Sequence, residues 1–99
     1  MVSRVIPVDP FDVVVFGATG DLSTRKILPA LYRRFYAGQI PPEARIIGAA
    51  RTELDAEGFR ALTRAAIAEH VGAAKRDPEQ IEAFLRCVDY VPVDATGTI

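Results

Sequence analysis

Val13-Val14-Val15-Phe16-Gly17-Ala18-Thr19-Gly20-Asp21-Leu22, with Arg25-Lys26 just behind it, is the stretch that decides the fold. A β-branched apolar run prefers the extended backbone of a buried strand, and the glycines that end it allow a tight turn. A helical pattern follows at once. Strand, glycine turn and helix in that order bring free backbone N–H groups and the positive end of a helix dipole close to a phosphate, which is a dinucleotide-binding signal.

Upstream, Met1 to Pro10 carries two prolines and no period, an irregular lead-in to a strand at Asp12 to Phe16. Downstream, Leu22, Ile27, Leu28, Leu31, Tyr32 and Phe35 recur at helical spacing up to Gly38, a plausible C-terminal stop. Pro29 interrupts that pattern. It removes an interior hydrogen bond and disfavours the α region at Leu28, so a short first turn followed by a kink or restart near Pro29 is expected. Gln39 to Ala44, with Pro41-Pro42, reads as a loop, and Arg45-Ile46-Ile47-Gly48-Ala49-Ala50 as a second buried strand with Arg51 at its C-terminal tip.

Asp55 can cap a helix that shows Phe59, Leu62, Ala66 and Ile67 on one face and runs to His70 or Val71 before Gly72. After a short basic loop, Asp77 as cap, Pro78 at the first helical position and Gln80 begin another helix, with Ile81, Phe84, Leu85 and Val88 on its apolar side. Tyr90 to Val93 then forms a third strand. Strands alternating with helices argue for right-handed crossovers and a parallel sheet. The expected fold is therefore α/β, an incomplete Rossmann-type sheet: one βαβαβ half of a dinucleotide-binding domain. Asp94 to Ile99 reads as the loop that opens a next unit, so the chain is expected to be a fragment.

Chemistry concentrates at the strand tips. Gly17 and Gly20 can take positive φ and lack the Cβ that would hold a pyrophosphate away, although a tight turn alone would also explain them. Asp21 is an odd direct neighbour for a diphosphate and reads as a turn or capping carboxylate. Arg51 stands where a Rossmann unit meets the adenosine ribose: an acidic residue there selects NAD, and arginine accommodates the 2′-phosphate of NADP. A charge-assisted bond of about 1.5 to 3 kcal/mol corresponds to a ten- to a hundred-fold preference. Glu53 and Asp55 are near enough in sequence to soften it, and Thr19 could add a hydroxyl to the same phosphate. Lys26, one turn into the helix, could act as a point charge on a substrate phosphate. By composition alone Arg25, Lys26, Arg33 and Arg34 read as a solvated helix face.

Composition narrows the function classes. With 49% hydrophobic and 25% charged residues in 99, the chain is one ordinary globular unit or part of one. A net charge of −1 leaves no basic footprint for nucleic acid and no polybasic stretch for a membrane surface. Small-molecule chemistry is expected. Cys87, the single cysteine, cannot form an internal disulfide and reads as a small core residue on the last helix. No signal-peptide pattern or long apolar span stands at the N-terminus, so the expected compartment is the cytoplasm. No metal site is expected.

Gly17-Ala18-Thr19-Gly20-Asp21-Leu22-Ser23-Thr24-Arg25-Lys26-Ile27-Leu28-Pro29-Ala30-Leu31-Tyr32, followed by Arg45-Ile46-Ile47-Gly48-Ala49-Ala50-Arg51, closely resembles the N-terminus of the glucose-6-phosphate 1-dehydrogenase family. The resemblance runs from Phe11 through Ala95, and Gly-Asp-Leu with Arg-Lys-x-x-Pro behind it is far more restrictive than a bare glycine motif. It implies that residues 1–99 are the N-terminal part of an NAD(P)-binding Rossmann domain, with the substrate domain absent from this chain. It also implies NADP-dependent oxidation of D-glucose 6-phosphate to 6-phosphoglucono-1,5-lactone, the entry step of the oxidative pentose phosphate pathway, by a full-length protein expected to be a homo-oligomer. Carried over by position, Gly17, Ala18, Thr19, Gly20, Asp21, Leu22, Ser23 and Thr24 would hold the cofactor phosphates. Thr19 and Arg51 would meet the 2′-phosphate, Asp94 and Ala95 would lie near the adenosine, and Lys26 would lie between cofactor and sugar phosphate. Thr24 replaces a basic residue common in the family, which puts its side chain in doubt as a contact but not its backbone.

The family's base, a histidine assisted by an aspartate, belongs to an Arg-Ile-Asp-His-Tyr-Leu-Gly-Lys segment that this sequence does not contain. His70, at a helix end, does not replace it, so no catalytic residue is assigned. Two other readings start from the same turn. Atypical short-chain reductases and NADP-sensing proteins open similarly but continue with a third glycine, where this chain has Ser23 and Thr24-Arg25-Lys26. A non-catalytic NADP-binding module would need nothing more than the residues present. A phosphate-loop nucleotidase fails, because no glycine here precedes a lysine. The purified 99-residue chain is expected to form no NADPH from D-glucose 6-phosphate, measured by absorbance; detectable turnover would overturn the absence of a base.

Overall fold

Strand β1 (Asp12–Phe16) pairs in parallel with β2 (Arg45–Ala50), and β2 with β3 (Val88–Pro92), in the spatial order β1-β2-β3. The structure, a computed structural model, describes residues 12–93, so the expected lead-in at Met1–Pro10 and the loop at Asp94–Ile99 lie outside the described residues. Between the strands come helix α1 (Leu28–Tyr36), helix α2 (Ala56–His70) and helix α3 (Pro78–Leu85). The sheet is a partial Rossmann-type sheet, as the alternation of strands and helices predicts. Among the described residues no helix is long and apolar enough to cross a membrane.

Right-handed crossovers in this strand order put every connecting helix on the same face of the sheet. The burial follows that rule. Val15, Gly48 and Tyr90 share one row and are buried, whereas the next row, Phe16, Ala49 and Val91, faces the other way. Phe16 is 78% exposed, and Val14 and Val91 are each 48% exposed. The core lies on the helical side, where Phe84 meets Tyr32 and Phe35 at ring-centroid distances of 5.6 Å and Phe59 meets Tyr90 at 5.0 Å.

The interruption at Pro29 takes a form that periodicity does not specify. A π-helical turn, Ser23–Ile27, precedes α1, and the Leu28 N–H reaches back to Ser23 O. Pro29 follows the wider turn as the second residue of α1, so the carbonyl that its missing N–H leaves without a donor lies in the irregular turn and not within α1. The chain stays helical through the expected restart. At the other end Gly38, at φ +80°, donates to Phe35 O while Gln39 donates to Arg34 O, a Schellman stop at the glycine that the sequence marks.

Asp55 and Asp77 cap as expected: Asp55 Oδ1 accepts from Gly58 N–H at 2.7 Å and Asp77 Oδ1 from Glu79 N–H at 3.1 Å. Such caps contribute about 1 kcal/mol each. The end of α3 differs from expectation. Cys87 lies in the turn after the helix, Val88 opens β3 instead of continuing the helical face, and β3 covers Val88–Pro92 rather than Tyr90 to Val93. Two contacts decide this. Ile46 N–H donates to Cys87 O at 2.8 Å, starting the β2–β3 ladder, and Arg60 Nε–H is shared between Leu85 O and Val88 O, each at 3.1 Å. Both groups are distant in sequence, so apolar spacing alone extends the helix too far. Cys87 is nevertheless buried and free, as expected of a core residue.

Among the described residues one sheet face is apolar and open, and a circular dichroism melt of the 99-residue chain is expected to be broad, with binding of a hydrophobic dye at low temperature. A sharp cooperative transition of the monomer without dye binding would show that the covered face suffices.

Candidate functional site

The C-terminal ends of the parallel strands converge on a cleft of about 580 Å³ lined by Phe16, Gly17, Thr19, Gly20, Ala49, Ala50, Arg51, Thr52 and Val93. Open α/β sheets bind ligands at this end, and the volume is that of a small-molecule site. Its floor is the glycine turn. Gly17 sits at φ +66° with nothing within 4 Å of where a Cβ would be, so backbone conformation, not crowding, requires glycine there. A Cβ on Gly20 would come 3.2 Å from Gly17 O, which already accepts from Gly20 N–H at 2.9 Å. The first backbone bond of the helix runs from Thr24 N–H to Gly20 O, so the amides ahead of it belong to the first turn, where helices leave N–H groups for other acceptors. An open positive-φ turn followed by such amides fits the phosphates of a dinucleotide.

Each residue singled out from the sequence has a definite place. Ala18 is wholly buried, and its N–H donates to Ala49 O at 3.2 Å, tying the turn to β2. Thr19 Oγ1 lies 2.9 Å from Thr52 Oγ1 at the cleft wall. Asp21 does not cap the turn; its Oδ1 pairs with Arg25 Nε at 3.1 Å on the exposed helix surface. Leu22 is exposed, and Ser23 is buried in the π-helical turn. The Thr24 hydroxyl donates back to Gly20 O and Asp21 O, at 3.1 and 3.3 Å, so its side chain is engaged within its own turn. Lys26 is exposed in the π-helical turn and does not line the cleft. Arg51 does line it, exposed and without an ion-pair partner among the described residues. Of the two carboxylates expected to soften its preference, Asp55 accepts from Gly58 N–H in the α2 cap, and Glu53 is exposed without an ion pair to Arg51 among the described residues. Asp94 and Ala95 lie outside the described residues.

Other basic residues of the first helical segment are satisfied elsewhere. Arg33 donates to His70 O at 2.9 Å, which also places His70 at a helix end and not in the cleft. Burial pushes the Tyr32 phenol and the Cys87 thiol up, but neither group lines the cleft.

Three residues of this region escape a reading by motif. Thr52 pairs with Thr19, and Tyr90 reaches the loop from β3, its hydroxyl 2.7 Å from Thr52 O. Gly48 is the third: a Cβ there would fall 2.5 and 2.6 Å from the Phe59 ring and 2.9 Å from Ala18 Cβ. A hydroxyl beside Arg51 and a glycine inside a strand are the only local signals, and neither names its distant partner.

The family model for the NAD-binding domain of glucose-6-phosphate dehydrogenase matches residues 14–98. The chain belongs to this family. Glucose-6-phosphate 1-dehydrogenase of Gluconobacter oxydans is 53% identical over 90% of the chain, and that of Rhizobium meliloti 46% identical over 96%. A solved glucose-6-phosphate dehydrogenase in complex with its substrate glucose-6-phosphate superposes with a TM-score of 0.78 at 29% identity, over 95% of the chain and 19% of that protein. The chain spans only 18% and 19% of the two bacterial relatives' lengths. Family membership indicates a dinucleotide cofactor, and the cleft lies where a Rossmann-type sheet receives one.

Gly48→Ala is expected to destabilise the whole protein by about 1–3 kcal/mol, because the wholly buried Phe59 ring has little room to withdraw. An unchanged urea midpoint would show that the ring and Ala18 move aside freely.

Proposed function

We propose that these residues form the cofactor-binding side of an NADP-dependent glucose-6-phosphate dehydrogenase, with the substrate domain and the catalytic base carried by chain outside them. The observation that carries the reading is the cleft in which the glycine turn, the Thr19–Thr52 hydroxyl pair and Arg51, without an ion-pair partner among the described residues, meet. When bound, the nicotinamide dinucleotide supplies the hydride acceptor for oxidation of D-glucose 6-phosphate to 6-phosphoglucono-1,5-lactone.

In this reading the backbone from Gly17 to Thr24 receives the cofactor's diphosphate, and side chains in that segment mostly shape the turn. Ala18 anchors it to β2, while Asp21 and Thr24 spend their polar atoms on neighbouring helix groups. Arg51 and the Thr19 hydroxyl take the 2′-phosphate. A guanidinium suits that task because its charge is permanent and its planar donors match phosphate oxygens. Asp94 and Ala95 are assigned to the adenosine side and Lys26 to the substrate phosphate. The Lys26 assignment requires the rest of the protein to build the facing wall, since Lys26 stands outside the cleft. A cytoplasmic, homo-oligomeric protein without nucleic-acid or membrane partners completes the proposal.

Arg51→Ala, in the whole protein that carries these residues, is expected to lower the preference for NADP⁺ over NAD⁺ about ten- to a hundred-fold, mainly through the NADP⁺ KM. Unchanged relative kcat/KM values for the two cofactors would remove Arg51 from the 2′-phosphate site. A chain bound by NADP⁺ in a protein that never oxidises the sugar would favour the non-catalytic module.

A further inference from the structure

Arg51 protrudes from a loop whose two flanking residues are both held, although its own side chain has no ion-pair partner among the described residues. On one side, Ala50 O accepts from Val93 N–H at 2.8 Å. On the other, Thr52 O accepts from the Tyr90 hydroxyl at 2.7 Å, and Thr52 Oγ1 lies 2.9 Å from Thr19 Oγ1. Tyr90 Oη is also 3.3 Å from Ala50 O. A phenol has one proton to donate, and Ala50 O is already served by Val93, so the shorter bond to Thr52 O is the one that matters.

We propose that Tyr90 is a positioning residue for cofactor selection: its hydroxyl fixes the loop so that Arg51 is presented to a ribose 2′-phosphate. The inference rests on the assignment of Arg51 given above. Tyr90 comes from the neighbouring strand, is buried in register with Gly48, and has its ring packed 5.0 Å from that of Phe59. The ring therefore gives the hydroxyl a rigid base. A loop ordered before binding spends none of the ligand's interaction on ordering itself, so the benefit falls on the group that reaches through Arg51. The diphosphate, received at the glycine turn, does not depend on this bond.

Tyr90→Phe removes the hydroxyl and keeps the ring. The test compares binding of 2′,5′-ADP and of 5′-AMP, which lacks the 2′-phosphate, by calorimetry on the whole protein in four forms: unchanged, Tyr90→Phe, Arg51→Ala and the double variant. Tyr90→Phe is expected to weaken 2′,5′-ADP about three- to tenfold and leave 5′-AMP unaffected. In the Arg51→Ala background the same substitution is expected to change neither affinity, because the residue through which it acts is gone. Equal weakening of both ligands, no weakening of either, or an effect that persists in the double variant would overturn the positioning role while leaving the Arg51 assignment intact. If Arg51→Ala itself leaves the ratio of the two affinities unchanged, the Arg51 assignment fails and this inference falls with it.

Discussion

The absence of a side chain at Gly48 sets how closely the helices approach the sheet. Gly48 sits in the middle strand between Val15 and Tyr90, and the Phe59 ring occupies the space that a Cβ would need. Phe59 belongs to α2, Ala18 to the glycine turn, and both close onto this one residue. Packing at van der Waals distance over so short a sheet leaves no slack: a methylene here would push on the helix and on the turn together. The glycine turn is thereby held from beneath by the same contact that closes the core.

From that packing the site follows by strand geometry. Parallel pairing in register brings Phe16 beside Ala49 and Ala49 beside Val91, so the turn after β1, the loop after β2 and the end of β3 finish at the same edge. Residues of the cleft that are far apart in sequence meet there. The polar groups at this edge divide into two kinds. Ala18, Thr24, Asp21 and Asp55 use theirs to hold structure, and Arg51 is left available. That division suits a binding site: fixed surroundings and, in the cleft lining, a charge without an ion-pair partner among the described residues. The chain spans only about a fifth of the length of the relatives it resembles.

Much of this was legible in the sequence where local chemistry is strong. The valine run and glycine turn mark β1 and its end, Asp55 and Asp77 mark helix starts, and Gly38 marks a stop, each through an interaction within a few residues. Legibility failed where a distant group decides. The end of α3 depends on Arg60 and on the β2 ladder, and Val88, apolar at helical spacing from Phe84 and Leu85, suits a helix face and a buried strand equally. The π-helical turn before Pro29 is a similar case: proline announces a disturbance, but which backbone bond absorbs it depends on how the helix packs.

The sequence by itself determined the element types and order, the Rossmann-type sheet, and the position of the glycine turn after the first strand, because these rest on backbone preferences and on a motif contiguous along the chain. Only the tertiary structure decided that Thr52 faces Thr19, that Tyr90 holds the loop of Arg51, and that Lys26 stands apart from the cleft. Hydrogen bonds and contacts between residues more than thirty positions apart come into being only when the strands pair, and no periodicity along a single chain encodes which side chains will then be neighbours.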